Sequence, residues 1–404
     1  MTVVSPGHGQ LMAAVGPTVM REMNQRLLLT KLFDDGPATR PRLAQLAGLS
    51  QPTVFAALDD LERAGLVRQT GRPLKPQGRP AAVYEANPSA GQVIGVDIGR
   101  SWIHVALADL TGQIHAEQTE PNTAGSADTL VELVVASVSR IKNQVHTRRQ
   151  PRTHTVIGSP GVLDPGEGRV LYAANLPGWH RSGVAQALSE QLGGSITIDN
   201  DANLAALAEH SYGAAQGVDD FAYIHIGTGL GVGLILGGQI YRGRRGAAGE
   251  VGYLPIGGDR PQTLSGQPMR GMLEEVLAAD AVVRRARWAG LTGKVTAERV
   301  FRLAREGHPI GRQAVAEEGK HLAQLLAAVS AFIDPELIVV GGGIGQNLDL
   351  LLPTAIESLS LLTPMKPSVV VSALGSEAVV RGTIARGVTL TRELVFREYI
   401  AQAG

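Results

Sequence analysis

A strand, a glycine turn and a returning strand occur twice in this chain, and that repetition constrains its fold more than any other feature. Val93-Ile94-Gly95-Val96-Asp97-Ile98-Gly99 reads as a buried strand ending in a tight turn, with Ile103 to Leu110 as its return. Ile224-His225-Ile226-Gly227, a turn at Thr228-Gly229 and a return from Val232 to Leu236 repeat the unit, setting Asp97-Ile98-Gly99 against His225-Ile226-Gly227. Alternating helices and strands follow each copy, so two related α/β lobes around a cleft are expected. A third glycine run, Gly341-Gly342-Gly343, follows the apolar strand Leu337 to Val340. Backbone N–H groups at turns without Cβ atoms can close around phosphate oxygens. One such loop says little, because any hairpin turn favours glycine. Two at duplicated positions, with a third run, say much more.

The first 85 residues follow a different pattern. Met23, Leu27, Leu28 and Leu32 recur at helical spacing up to Asp35-Gly36-Pro37. A short helix from about Thr39 to Ala47, with Leu43 and Leu46 inward, leads to a turn at Gly48-Leu49. Ser50 is placed to cap a third helix with Pro52 in its first turn and Val54, Leu58 and Leu61 as its buried stripe. This order is that of a helix-turn-helix. Gly65-Leu66-Val67, a Gly/Pro-rich turn and Ala82-Val83-Tyr84 then form a two-stranded wing with Arg72 and Gly78-Arg79-Pro80 at its tip. An arginine on a thin loop suits a minor groove. The start of the third helix offers Gln51, Thr53, Phe55, Ala56 and Ala57, of which Gln51 and Thr53 can hydrogen-bond base edges. The alternative is a small helical protein-interaction module. Cap, turn and basic wing in this order favour double-stranded DNA.

Charge supports the same division. The chain holds 37 basic and 37 acidic residues. Residues 1–85 hold 10 basic and 7 acidic ones, leaving 27 and 30 for the remainder. Arg63, Arg68, Arg72, Lys75 and Arg79 fall in a stretch without an acid, which either attracts phosphates or forms a solvated basic face. No apolar run reaches membrane-spanning length, the N-terminus lacks a signal-peptide pattern, and there is no cysteine. A cytoplasmic protein without membrane partners is expected. The domains are expected at 17–85 and 92–404, joined by a linker at 86–91.

The chain resembles the ROK family (repressors, open reading frames and kinases), its DNA-binding repressor branch in particular. The resemblance runs from about Pro17 to the C-terminus. It is carried by the winged helix and by Val96-Asp97-Ile98-Gly99, Gly158-Ser159-Pro160-Gly161 and Asn175-Leu176-Pro177-Gly178-Trp179. Asp199-Asn200-Asp201-Ala202-Asn203, Gly227-Thr228-Gly229 and Gly249-Glu250-Val251-Gly252 complete the set. It implies an α/β fold: an N-terminal winged helix-turn-helix followed by a two-lobed actin/hexokinase-like (ASKHA) ROK domain. It places Asn200, Asp201, Glu250 and Glu274 on a sugar-like effector. It assigns Asp97, Gly99, Gly227, Thr228, Gly229 and Gly342 to nucleotide loops, retained or vestigial. In family kinases the residue matching Asp201 is the catalytic base.

Family members usually carry a zinc site of one histidine and three cysteines. Here the histidine position is Tyr253, and Thr263-Leu264-Ser265-Gly266-Gln267-Pro268-Met269-Arg270-Gly271-Met272 replaces the cysteine stretch. No zinc or other metal is therefore expected. Packing around Leu264, Met269, Met272 and Leu273 is expected to hold that end of the cleft. Trp102 is expected to pack in the core or between lobes, and His104, His180 and His225 to be structural. The leading expectation is a repressor of carbohydrate-related genes, a homodimer or higher homo-oligomer without cofactor. An ATP-dependent sugar kinase that also binds DNA is the rival, so ATP binding stays open. A ligand-independent regulator with a degenerate cleft is the third reading.

Overall fold

Helix α1 (Pro17–Asp34) opens on a proline, whose missing N–H is not needed in a first turn. The computed structural model describes residues 16–70, 82–145, 151–164, 169–173, 176–256 and 270–403. The chain divides into two units, Met1–Gly91 with Arg392–Gly404, and Gln92–Thr391.

In the first unit α1 is followed by β1 (Ala38–Thr39), α2 (Arg40–Ala47), α3 (Gln51–Arg63), β2 (Val67–Gln69) and β3 (Val83–Ala86). Ser50 caps α3, its hydroxyl accepting the Thr53 N–H at 3.3 Å. The strands form an antiparallel sheet in the order β1-β3-β2, so three helices carry a hairpin in a winged-helix arrangement. The wing tip, with Arg72, Lys75 and Arg79, lies outside the described residues.

Two expected stripes shift. On α1 the buried row is Gln25, Leu28, Leu29 and Leu32, while Met23 and Leu27 are exposed. On α3 Ala57 is buried with Val54, Leu58 and Leu61 instead of joining the exposed start. Both rows follow the i, i+3, i+4, i+7 spacing of one helix face. Leu46 is only half-buried. The expected linker is structured, since β3 runs to Ala86, Pro88–Ala90 form a 3₁₀ turn and the next strand starts at Gly91.

The C-terminal residues Arg392–Gly404 cluster with the first unit, whereas the sequence assigned everything to 404 to the second domain. The reason is a contact between opposite ends of the chain. Asp60 on α3 is 5% exposed and accepts from Arg21 Nε and Gln25 Nε2, each at 2.9 Å, and from Arg63 at 2.7 Å. Gln25 Nε2 also donates to the Tyr399 hydroxyl at 2.9 Å, Arg26 pairs with Glu393 at 2.7 Å, and the Arg392 guanidinium lies 3.9 Å from the Phe33 ring centroid.

The second unit starts with β4 (Gly91–Ile98), β5 (Trp102–Asp109), β6 (Ile114–Pro121), α4 (Ala127–Gln144) and β7 (Arg152–Ser159). A small hairpin, β8 (Val162–Asp164) and β9 (Arg169–Leu171), precedes α5 (Val184–Leu192), β10 (Ser195–Asn200) and α6 (Asp201–Tyr212). The second lobe runs through β11 (Phe221–Ile226), β12 (Leu230–Leu236), β13 (Gln239–Ile240), α7 (Met272–Leu277), α8 (Ala279–Trp288), α9 (Ala297–Arg305) and α10 (Pro309–Ile333). It closes with β14 (Leu337–Gly341), α11 (Gly342–Gly345), α12 (Leu348–Leu362) and β15 (Ser368–Val371), after which α13 (Ala378–Ala403) packs Val380, Ile384 and Val388 against Val93, Ala106 and Ala108 of the first sheet.

The duplication is visible in the sheets. One has the order β10-β7-β4-β5-β6 and the other β15-β14-β11-β12-β13. Each begins with an antiparallel hairpin, β4–β5 or β11–β12, across a turn of the same length. Trp102 is 52% exposed, which corrects the expectation of a core residue. As the first residue of β5 it falls on the face opposite Ile103 and Val105, which are buried. No described helix is long and apolar enough to cross a membrane.

Burial raises the Asp60 carboxyl, but hydrogen bonds and charge from Arg21 and Arg63 outweigh it and hold the group below its ordinary value. A depressed carboxylate contributes stability above the unfolded pKa of 3.8, lost as pH falls through the lower folded value. Asp60→Ala should destabilise the first unit by about 1–2 kcal/mol at pH 7, since the buried Gln25 loses one of its two acceptors while the largely exposed Arg21 and Arg63 turn to water. Hydrogen exchange in α1 and α3 would register it, and unchanged protection would show the network to be dispensable.

Candidate functional site

Asn200 and Asp201 stand where β10 passes into α6. Asn200 is the N-cap: its side-chain oxygen accepts the Asn203 N–H at 3.1 Å, and its Nδ2 donates to the Gly161 carbonyl at 3.1 Å. Asp201 accepts the Ala202 N–H at 2.7 Å through Oδ1. Asp199 is bound by Arg242.

A cavity of about 280 Å³ opens here. Asn200, Asp201, Glu250, Glu274, Asp97, Gly99, Thr228, Gly229 and Gly342 all line it. Gly227 does not; its N–H donates to the Gly229 carbonyl at 2.9 Å and closes the second turn. Gly342 has φ +79°, and a Cβ there would lie 2.4 Å from the Ile226 carbonyl oxygen. Packing against β11 therefore requires this glycine whether or not a ligand approaches.

Several cleft residues were not singled out from the sequence as ligand-facing. Arg270 donates to Asp280 at 3.0 Å and to the Thr228 carbonyl at 2.9 Å, and lies 3.6 Å from Glu274, tying the second glycine turn to α7. Arg270 itself is not among the cavity's lining residues, whereas Arg100, His225, Tyr172 and Tyr253 are. The two tyrosine rings meet edge to face, with centroids 5.5 Å apart and planes at 64°. Tyr172 has φ 62°; among the described non-glycine residues only Asp334 shares a positive φ. A bulky side chain in that region costs about 1–3 kcal/mol. Neither tyrosine has a motif that marks it, although the departure at Tyr253 drew attention to its position.

The cleft is electrostatically crowded. Burial, then the nearby Asp201 carboxylate, pushes Asp97 up to about 8. Burial, then Asp201 and Glu274, pushes Glu250 up to about 7. Burial together with Glu250 and Glu274 pushes the Tyr253 phenol up to about 12, so it stays a hydrogen-bond donor.

Among the described residues no group of three or more His, Asp or Glu is placed to hold a metal ion. Tyr253, in contact with Tyr172, and a chain without cysteine do not fit the zinc set that the family resemblance implies. Leu273 is buried as expected, while Leu264 and Met269 lie outside the described residues.

In the first unit Gln51 is exposed at the start of α3. Thr53 is half-buried, its hydroxyl 2.8 Å from Ser50 Oγ. Arg63 is engaged by Asp59 and Asp60, and Arg68 by Glu85 at 2.7 Å. Two members of the basic run thus have acidic partners contributed from outside that run.

Residues 93–386 match the ROK family, and the chain belongs to it. The xylose repressor of Caldicellulosiruptor bescii is 25% identical over 398 residues, covering 95% of this chain and 99% of its own. The DNA-binding transcriptional dual regulator NagC of Escherichia coli is 24% identical, covering 92% and 95%. Among solved structures, a ROK family transcriptional regulator described as a homolog of the E. coli MLC protein superposes with a TM-score of 0.76 at 22% identity, covering 95% of this chain and 99% of its own. A ROK family glucokinase from Streptomyces griseus, in complex with glucose and AMPPNP, gives 0.64 at 26% identity over 74% of this chain and all of its own. The second unit has the fold of this glucokinase.

The raised carboxyls set a pH dependence. Between the ordinary carboxyl values near 4 and the folded values near 7 and 8, the folded state holds protons that the unfolded chain has released. Stability from this source therefore falls as pH rises through that window. Asp97→Asn should raise the melting midpoint by roughly 2–6 °C at pH 8 and have little effect near pH 4. Thermal melts across that range test this, and equal shifts at both ends would exclude a protonated Asp97.

Proposed function

We propose that this protein is a sugar-responsive, DNA-binding transcription regulator that represses carbohydrate-related genes. The observation that carries the reading is the meeting of Asn200, Asp201, Glu250 and Glu274 in one cavity, in a chain that begins with a winged-helix arrangement. Carboxylates and an amide around a small cavity suit a ligand rich in hydroxyl donors. Similarity to repressors named for xylose and N-acetylglucosamine supports the same ligand class.

The protein acts in the cytoplasm as a homodimer, so that two copies of α3 meet the two halves of an operator. Gln51, with Thr53, reads base edges from α3, and Arg72 and Arg79 on the wing engage the minor groove or its phosphates. Effector in the cleft favours a conformation whose winged helices no longer match the half-site spacing. A coupling of about 1–3 kcal/mol is enough for such a switch. No zinc takes part.

The rival kinase reading rests on Asp97, Asp201 and both glycine turns, all within the second unit. Asp201→Asn separates the two. In a sensor the change weakens release from DNA by sugar, release needs no ATP, and DNA affinity without sugar is retained. In a kinase, sugar-dependent ADP production by the wild type falls by about 10²–10⁴-fold in the variant. ADP production of that kind would defeat the sensor-only reading.

On an operator selected from random duplexes, Arg79→Ala should weaken binding by about 1–3 kcal/mol and make the dependence of affinity on salt shallower. Gln51→Ala should relax discrimination between operator variants and leave the salt slope unchanged. The same loss on every duplex from both substitutions would contradict this division of roles.

A further inference from the structure

The strained Tyr172 has no structural explanation in burial. Its side chain is 46% exposed, and it follows the short hairpin strand β9 with a left-handed backbone that a bulky residue rarely adopts. What the conformation achieves is contact. It brings the ring against Tyr253, itself 38% exposed, on the wall of the cavity that holds Asp201, Glu250 and Glu274. An edge-to-face pair in which both rings remain solvent-accessible presents an aromatic surface to whatever fills the cavity.

The chemistry of that surface is specific. The face of a tyrosine ring carries partial negative charge, which matches the weakly positive C–H groups on the apolar face of a sugar ring. The carboxyl oxygens of Asp201, Glu250 and Glu274 accept hydrogen bonds from hydroxyls at the same ring's edge. At this wall a phosphate or carboxylate on the ligand would meet Asp201, Glu250 and Glu274, while the arginine that lines the cavity, Arg100, belongs to the turn after β4 and Arg270 is engaged by Asp280 and the Thr228 carbonyl.

We propose that Tyr172 and Tyr253 form an aromatic wall that stacks on the C–H face of an unphosphorylated pyranose and so determines which sugar the cleft accepts. This rests on the reading of the cleft as an effector site. Tyr253 stands where the family resemblance implies a histidine ligand of zinc, and that position here carries an aromatic ring instead.

Calorimetric titration of the full-length protein with D-glucose, D-xylose, N-acetyl-D-glucosamine and the corresponding phosphorylated sugars tests the proposal. At least one neutral sugar should bind, and its phosphorylated form should bind more weakly. Tyr172→Gly removes the ring and relieves the backbone, so the melting temperature should hold or rise while affinity falls by about tenfold. Tyr253→Phe should bind within a few-fold of wild type, and Tyr253→Ala should lose about tenfold or more. A residue needed only for folding would instead lower the melting temperature of Tyr172→Gly. Tighter binding of a phosphorylated sugar, or full affinity in both ring-deletion variants while Asp201→Asn abolishes binding, overturns the aromatic wall and leaves the effector site standing. Absence of binding by every sugar overturns both.

Discussion

The seating of α6 is the constraint on which the cleft depends. Its first turn carries Asn200 and Asp201, and its other end carries Glu209, fully buried. The Glu209 carboxylate accepts the Ala214 N–H at 2.7 Å, the Leu374 N–H at 3.1 Å and the Ser372 hydroxyl, which ties α6 to the segment after β15. A buried carboxylate is tolerable only with such donors. On its flank α6 meets α13 so closely that a Cβ on Gly382 would lie 1.8 Å from the Leu204 carbonyl oxygen. Held at its end and its side, the helix delivers Asp201 to the cavity with little freedom left to lose on binding.

That rigidity has an electrostatic cost. Asp97, Asp201, Glu250 and Glu274 share one cavity, and the arginine nearest Glu274 is divided among several acceptors. Burial and the neighbouring acids push Asp97 up to about 8 and Glu250 up to about 7, so both hold protons at a pH where ordinary carboxyls have released them. A ligand that supplies hydroxyl donors stabilises the ionised forms and competes with those protons. Sensitivity to pH in this cavity therefore arises from Asp97 and Glu250, the two acids whose protons such a ligand would displace.

The sequence made the architecture legible because its signals are local. The duplicated strand–turn–strand units need only alternation and glycine, and the two sheets bear them out in matching strand orders. Ser50 and Pro52 marked the start of α3 correctly, since a cap is a three-residue event. The missed features are long-range. Nothing near Gln25 announces Tyr399, more than 370 positions away, and without that contact the C-terminal residues read as part of the second domain. On α1, Leu27, Leu28 and Leu29 are consecutive, so pattern alone could not choose the buried face; the polar Gln25, which reaches Asp60, lies on it. The cleft acids were found through motif order, whereas Tyr172 depends on a backbone angle and Arg270 on a carbonyl 42 residues away.

The loop from Gly249 to Tyr253 shows what holding this end of the cleft without thiolates requires. Its anchors are backbone and apolar. The Val232 N–H donates to the Gly249 carbonyl at 2.9 Å, and the Leu254 N–H donates to the Val251 carbonyl at 3.0 Å. Val251 and Leu254 pack on the core cluster that contains Leu273 and Leu277 of α7. Glu250 and Glu274 are thus carried by two segments that share one apolar cluster. Packing of this kind fixes position through many weak contacts, so it tolerates a change of side chain at the rim better than a coordination shell does. The rim is where Tyr253 stands. A cleft supported from its core in this way tolerates a change of side chain at position 253 while Glu250 and Glu274 stay in place.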